Sequence, residues 1–363
     1  MKITNDQQGM ALALEWAAKG MFLTAPNPRV GCVVVRDGVV LGAGHTQAVG
    51  QAHAEIAALA DAQQRGNSVL GATLYVTLEP CSHHGRTPPC ADALIRAGVA
   101  RVVSAIGDPN PLVAGAGLDR LRAAGIEVVT DVMRDAALEM NIGFFSRMQT
   151  GKPWVRMKAA ASLDGKTALH NGVSQWITSA PARDDGHAWR ARACAILTGI
   201  GTVKADNPQL TVRAIVTPRQ PRRIVIDSRL EIELQARILM DAPVWIVCAQ
   251  ADPAKQAALN LLGHDVICLP NAAGKVDLPQ LMLELGRRQI NEVHVEAGFK
   301  LNGSLLREGC IDELLLYLAP SLLGDAQGLF DLPAQTSLSD KTGLVFHDVK
   351  QIGPDLRILA RLT

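Results

Sequence analysis

The apolar positions of the first half of the chain alternate between helical and strand-like spacing. The N-terminal stretch "MKITNDQQGMALALEWAAKG" reads as an amphipathic helix over roughly residues 5–20. Two strands follow, "VGCVVVR" and "VVLGAG", joined by the turn dipeptide Asp37-Gly38. A helix is predicted near 53–64, where Ile56, Ala57, Leu59 and Ala60 recur at helical spacing. "ATLYVTL" (72–78) reads as a buried strand, and "PPCADALIRAGV" as a helix opened by proline and closed at Gly98. "RVVSAI", "GLDRLRAAG" and "IEVVT" then complete a strand–helix–strand run. Strands alternating with helices predict an α/β layer fold with helices on both faces of a sheet.

The segment "FFSRMQTGKPW" (144–154), with Gly151 and Pro153, marks a boundary, because a new strand "WVRMKAAAS" begins at once. At 363 residues the chain exceeds what one hydrophobic core usually serves, so two domains are expected, 1–148 and 149–363. The second is again α/β. Its strand-like runs are 194–200, 223–227, 244–248, 292–297 and 313–320, and its helices fall near 181–193, 278–290 and 302–310.

Composition narrows the class. Hydrophobic content of 48% with 20% charged residues describes a folded globular chain. The net charge is +1 and neither half holds a run of Lys or Arg, which argues against a nucleic-acid surface but leaves room for a small phosphorylated ligand. Glu15 and the polar run 6–8 interrupt the N-terminal stretch, so no signal peptide is expected, and no membrane span either. Of seven cysteines, Cys32, Cys194, Cys248, Cys268 and Cys310 read as small buried hydrophobes. Only Cys81 and Cys90 lie among polar loop residues, a pattern suited to a reducing cytoplasm.

Chemistry concentrates in "HAEIAALA" (53–60) and "EPCSHHGRTPPC" (79–90). His53, Cys81 and Cys90 could supply one nitrogen and two sulfurs to a zinc ion, leaving a fourth position for water. Glu55 would shuttle a proton from that water to a leaving nitrogen, as in zinc deaminases with an H-x-E and a later cysteine pair. The pair is spaced wider here than C-x-x-C. His53 and Glu55 fall at one predicted helix start and Cys90, behind Pro88 and Pro89, at another, where the helix dipole favours thiolate. A structural zinc site would want a fourth donor, which His83 or His84 could offer. The combination favours the catalytic reading.

Several longer stretches carry a resemblance. "TAPNPRVG" (24–31), "HAE" (53–55) and "TLEPCSHHGRTPPC" (77–90) look like the deaminase half of the bifunctional riboflavin-biosynthesis deaminase–reductase (RibD) family. "KAAASLDGKTA" (158–168), "SQWITS" (174–179), "TVKADNPQLTVR" (202–213), "RIVIDS" (223–228) and "VEAG" (295–298) resemble its reductase half, in the expected order. The resemblance implies a cytidine-deaminase-like first domain and a dihydrofolate-reductase-like second one, a single Zn2+ per chain, and NADPH. The implied substrate is a small phosphorylated pyrimidine, 2,5-diamino-6-(5-phosphoribosylamino)pyrimidin-4(3H)-one. It would lose its 2-amino group as ammonia, and the ribose of the product would then be reduced to ribitol.

By the same resemblance Asn27 would hold the pyrimidine edge and Arg86 the phosphate. Ala160, Trp176, Thr202, Asp206, Ser228 and the stretch Gly298, Phe299, Lys300, Leu301, Asn302, Gly303, Ser304 would contact NADPH. Lys158, Ser174, Arg190, Leu210, Arg213 and Glu296 would contact the sugar phosphate, with Arg190 and Arg213 as a clamp. Leu210 and Val212 are expected to point one way and Arg213 the other. A strand ending at Glu296, a glycine-bearing loop over 298–303 and a helix starting near Ser304 would present backbone N–H groups to a phosphate. The family's position for a histidine before "HAE" holds Thr46, beside His45, and neither is assigned a role. A homodimer or larger assembly through the reductase halves is implied. The rival reading is a deaminase of tRNA or single-stranded DNA with a C-terminal binding module; a non-enzymatic protein with structural zinc is a second.

Overall fold

The computed structural model describes residues 2–82, 89–110 and 114–363. The chain divides into two compact units, Met1–Thr150 and Gly151–Thr363.

The first unit is built on a five-stranded sheet, whose strands β1 (Gly31–Arg36), β2 (Val39–His45), β3 (Thr73–Val76), β4 (Arg101–Ser104) and β5 (Glu127–Val129) lie in the order β2-β1-β3-β4-β5. β1 runs antiparallel to both β2 and β3, while β3, β4 and β5 are parallel. The β1–β2 hairpin closes on Asp37 (φ 55°) and Gly38 (φ 76°), a left-handed pair that matches the strand twist. Residues 31–35 of β1 are all buried, which requires cover on both faces. Two helices provide it. Helix α1 (Asp6–Lys19) lies so close over Gly31 that a Cβ there would stand 1.9 Å from the Ala13 carbonyl. Helix α2 (Ala54–Gln64) crosses the opposite pleat, where a Cβ on Gly42 would stand 2.5 Å from the Ala58 carbonyl. α3 (Cys90–Ala97) and α4 (Ala116–Ala123) follow β3 and β4. α5 (Arg134–Met140) and α6 (Ile142–Thr150) close the unit, so part of the segment read from sequence as a boundary is helical.

The second unit holds a nine-stranded sheet. Its strands are β6 (Trp154–Ser162), β7 (Ala195–Gly199), β8 (Arg222–Ile226), β9 (Val244–Cys248), β10 (Asp265–Cys268), β11 (Glu292–Val295), β12 (Glu313–Ala319), β13 (Leu344–Ile352) and β14 (Asp355–Leu362). Their order is β10-β9-β8-β7-β11-β6-β12-β14-β13. The strands from β10 to β12 are parallel, and β14 and β13 add an antiparallel hairpin. The intervening helices are α7 (Ala180–Arg192), α8 (Ile200–Asp206), α9 (Pro253–Leu261), α10 (Leu278–Arg287) and α11 (Phe299–Arg307). At the amino ends of the strands, buried Arg156 bridges Glu313 (2.6 Å) and Glu292 (3.2 Å). A buried triad of this kind fixes strand register at a desolvation cost that offsets most of its attraction. Cys268 corrects one expectation. It ends the edge strand β10 and is exposed, since no further strand covers it.

Candidate active sites

In the first unit, the start of α2, the loop after β3 and the start of α3 converge. His53 is the N-cap of α2 and Cys90 the first residue of α3. The Nδ1 of His53 lies 3.7 Å from the Sγ of Cys81 and 3.4 Å from the Sγ of Cys90, and all three donors lie within 4.8 Å of one another. Tetrahedral zinc with ordinary Zn–N and Zn–S bonds separates a nitrogen from a sulfur by about 3.6 Å, so this triangle fits the ion. The Cys90 N–H donates to the Cys81 Sγ at 3.3 Å. The mutual hydrogen bond of the two thiols holds Cys81 well below the thiol range, at about 4, and pushes Cys90 far up.

Glu55, in the first turn of α2 behind His53, is 4% exposed. Burial pushes its carboxyl up to about 7, and the Cys81 thiolate adds to the rise. A carboxyl poised near neutrality can both accept and return a proton. Asn27 stands in the turn before β1, its N–H bonded to the Thr24 carbonyl at 2.9 Å. Thr46 is buried, and the His45 Nδ1 lies 2.9 Å from the Thr46 carbonyl oxygen; neither belongs to the metal triangle. Arg86, His83 and His84 lie outside the described residues.

One supporting residue carried no signal in the sequence reading. Glu79, 4% exposed, accepts the N–H groups of Asp108 (3.1 Å), Gly115 (3.0 Å) and Gly117 (2.9 Å). The carboxylate thereby ties the backbone at 108 and at 115–117 to the chain two residues before Cys81. Only its place beside Pro80 and Cys81 could have hinted at this.

In the second unit a cavity of about 1620 Å3 opens at the carboxyl ends of β6, β7, β8 and β11, where open α/β sheets bind ligands. Of the positions marked from sequence, Ala160, Trp176, Thr202, Asp206 and Ser228 line it, as do Lys158, Ser174, Arg190, Leu210, Arg213 and Glu296. The stretch 298–304 lines it as well, except Gly303.

That stretch corrects the sequence reading. α11 begins at Phe299 with Gly298 as its N-cap, not near Ser304. The Asn302 N–H is already spent on the Gly298 carbonyl at 3.0 Å. Gly303 faces the 331 segment, where a Cβ would stand 2.2 Å from the Asp331 carbonyl. The first-turn N–H groups that a phosphate could use are therefore those of Phe299, Lys300 and Leu301.

The substrate side has its own architecture. Arg190 on α7 grips Glu296 with two prongs, one of them Nη2–Oε2 at 2.8 Å, and its Nη1 donates to the Thr211 carbonyl at 3.3 Å. Burial alone would raise the Glu296 carboxyl, but Arg190 overrides it and holds the group well below the usual range. Burial lowers the Lys158 ammonium while Glu296 opposes the shift.

Residues 207–213 form no strand, and Leu210 adopts φ 51°. The segment is instead clipped by side chains. Arg223 donates to the Gln209 carbonyl (3.4 Å), Gln220 brackets the N–H and carbonyl of Val212 (2.8 and 3.0 Å), and the His187 Nδ1 accepts the Arg213 N–H (3.4 Å). Leu210 and Val212 are buried and Arg213 is exposed, as the alternation implied, though without a strand.

A candidate metal pocket with a buried acid in one unit and a cleft at the strand ends of a parallel sheet in the other give the chain two separate candidate sites, one suited to a metal-activated water and one to a larger ligand. Residues 3–106 match the cytidine and deoxycytidylate deaminase zinc-binding region, and residues 153–358 match the RibD C-terminal domain. The riboflavin biosynthesis protein RibD of Escherichia coli K12 is 48% identical, over 97% of this chain and 98% of its own. That of Bacillus amyloliquefaciens is 44% identical, over 98% and 96%. The solved structure of Acinetobacter baumannii RibD superposes with a TM-score of 0.90 at 41% identity, covering 99% of each chain. A diaminohydroxyphosphoribosylaminopyrimidine deaminase/5-amino-6-(5-phosphoribosylamino)uracil reductase of Thermotoga maritima does so at 0.87 and 30%, again over 99% of each. The chain belongs to the RibD family of riboflavin biosynthesis proteins. It is a bifunctional deaminase and reductase whose cofactors are Zn2+ and NADPH. Among the described residues no helix is long and apolar enough to cross a membrane.

Proposed function

We propose that the first unit deaminates 2,5-diamino-6-(5-phosphoribosylamino)pyrimidin-4(3H)-one and that the second reduces the ribosyl chain of the product, with His53, Cys81 and Cys90 as zinc ligands and Glu55 as the proton carrier. The observation that carries this reading is the N/S/S triangle with a buried carboxyl beside it. Bound zinc supplies a Lewis acid that lowers the pKa of water. Glu55 takes a proton from the attacking water on a carboxyl oxygen and returns it to the departing amine. Asn27 offers an amide donor and acceptor to the pyrimidine edge.

In the second unit NADPH supplies the hydride. The N–H groups of Phe299, Lys300 and Leu301 at the α11 start hold a cofactor phosphate, with Thr202, Asp206 and Ser228 along the same wall. Arg213 receives the sugar phosphate, while Arg190, charge-balanced by Glu296, acts by holding the Thr211 backbone. The exposed apolar side chains of β13 (Val345 58%, Phe346 69%, Val349 54%) support self-association through the reductase units. The setting is cytoplasmic.

Glu55→Gln tests the assignment. Deamination should fall by about 100-fold or more. Zinc content and NADPH oxidation with the deaminated substrate should remain. Full zinc in Cys90→Ser together with wild-type deamination would remove the ligand set.

A further inference from the structure

Arg190 and Arg213 suggest a two-cation clamp, yet the charge of Arg190 is matched by Glu296, and its Nη1 is engaged by the Thr211 carbonyl. Arg213 keeps one side-chain partner, the Thr211 hydroxyl at 3.1 Å, and is exposed on the cavity wall. A dianionic phosphate beside one arginine that, among the described residues, no carboxylate neutralises needs a further donor, and the structure holds one that the sequence pattern did not single out.

His187 lies on α7 one turn before Arg190, on the same helix face, and lines the cavity beside Arg213. Its Nδ1 accepts the Arg213 backbone N–H at 3.4 Å. An imidazole nitrogen that accepts carries no proton, so the neutral ring must carry its proton on Nε2. Among the described residues Nε2 has no protein partner. The ring is thus held by the backbone of Arg213, and it lines the same cavity as that residue's guanidinium.

We infer that His187 is a specificity-determining residue of the reductase site, its Nε2–H donating to the substrate's phosphate beside Arg213. This rests on the reading of Arg213 as the phosphate contact. The charged groups around the ring are Arg190, Arg213, Glu296 and Asp184. Burial first, and then the two arginines, lower the imidazole pKa, which keeps the ring neutral and its tautomer fixed. A neutral donor suits a site already bordered by two guanidinium groups, since a third cation would be repelled before the anion arrived.

Three substitutions separate donation from anchoring. His187→Gln places an amide N–H near the former Nε2. His187→Asn places a carbonyl oxygen near the former Nδ1, keeping the anchor of Arg213 without the donor. His187→Leu keeps neither. The measurement is kcat/KM for reduction of the phosphorylated deaminated substrate, divided by that for its dephosphorylated form, with Arg213→Ala alongside and thermal midpoints to verify folding. The ratio should fall by about tenfold in the Leu and Asn variants and stay within about twofold of wild type in Gln. If Asn restores the ratio and Gln does not, His187 only anchors the loop and the proposal is overturned. If Arg213→Ala lowers the ratio but no His187 variant does, His187 alone is misassigned. If Arg213→Ala leaves the ratio unchanged, the phosphate does not bind here and both readings fall.

Discussion

Arg190 and Glu296 face each other across α7 and the end of β11 as a two-pronged ion pair, 17% and 14% exposed at their side chains. The family resemblance marks both as substrate contacts, but their first partners are each other. The pair delivers no net charge to the cavity. Its Nη1–H to the Thr211 carbonyl converts the ion pair into a brace for the segment that carries Arg213.

Breaking the pair should cost more than deleting it. Arg190→Met or Glu296→Met alone leaves a mostly buried charge unmatched and should destabilise the second unit by about 3 kcal/mol. The double variant should recover most of that loss. Chemical denaturation of the four proteins gives the coupling directly; strictly additive losses would show that the pair contributes nothing as a pair.

Glu79 makes a separate claim about the first unit. Three backbone N–H groups converge on one carboxylate, and Glu79→Gln replaces one acceptor oxygen with a donor that opposes them. The expected loss is about 2 kcal/mol of stability in the deaminase unit, with weakened zinc retention because Cys81 follows two residues later. NADPH oxidation should be unaffected. A Gln variant with wild-type denaturation and wild-type metal content would show that the loop holds without this anchor.

The Asp6–Arg101 pair carries a pH signature. Arg101 donates to both carboxyl oxygens at 2.7 and 2.8 Å, and this hydrogen bonding, only partly offset by burial, lowers the Asp6 pKa below its ordinary 3.8. A lowered acid stabilises the fold above its unfolded value and loses that contribution as pH falls through the folded one. Asp6→Asn should therefore cost about 1 kcal/mol at pH 7. The gap to wild type should close below pH 3.8, where wild-type Asp6 takes up its proton. A gap that persists unchanged in acid would mean that the side chain acts by packing and not by charge.

How legible was all this from sequence? The core strands of both sheets were, because burial on both faces writes apolar runs such as "GCVVV" and "VWIVC". The C-terminal hairpin β13–β14 was not read, because its exposed and half-buried positions mix apolar and charged residues. The candidate zinc donors and Glu55 were legible because His53, Glu55 and Cys90 sit at helix starts that local punctuation marks, with Cys81 in the polar loop that leads to one of them. His187, Gln220 and Arg223 were not. Each acts on the 207–213 segment from elsewhere in the chain, and no periodicity encodes a contact made by folding. The α11 start was misplaced by five residues, from Ser304 to Phe299, because Gly303 was read as loop. Its missing side chain serves packing, not backbone freedom.

That distinction yields the last prediction, since two glycines in one motif should fail in different ways. Gly303 lies inside α11, where a Cβ would stand 2.2 Å from the Asp331 carbonyl and 2.8 Å from the Asp331 nitrogen. Backbone cannot yield as a side chain can, so Gly303→Ala should push the helix off the 331 segment and cost about 2 kcal/mol or more of stability. Its effect on NADPH should follow from that displacement and be matched by a lower thermal midpoint. Gly298 is different. Its φ of −84° is open to any residue, and the nearest atom to an added Cβ is the Thr202 Oγ1 at 3.7 Å, an ordinary contact. Gly298→Ala should fold with a loss of about 1 kcal/mol or less, the usual cost at an N-cap. Yet it puts a methyl group on the cavity wall at the start of α11, where the cofactor phosphate is proposed to sit. NADPH affinity should drop by about tenfold while stability hardly moves. Titration of NADPH fluorescence beside thermal melts separates the two. If Gly298→Ala binds NADPH as wild type does, the phosphate lies away from this helix start; if Gly303→Ala melts like wild type, α11 is not packed against the 331 backbone as described.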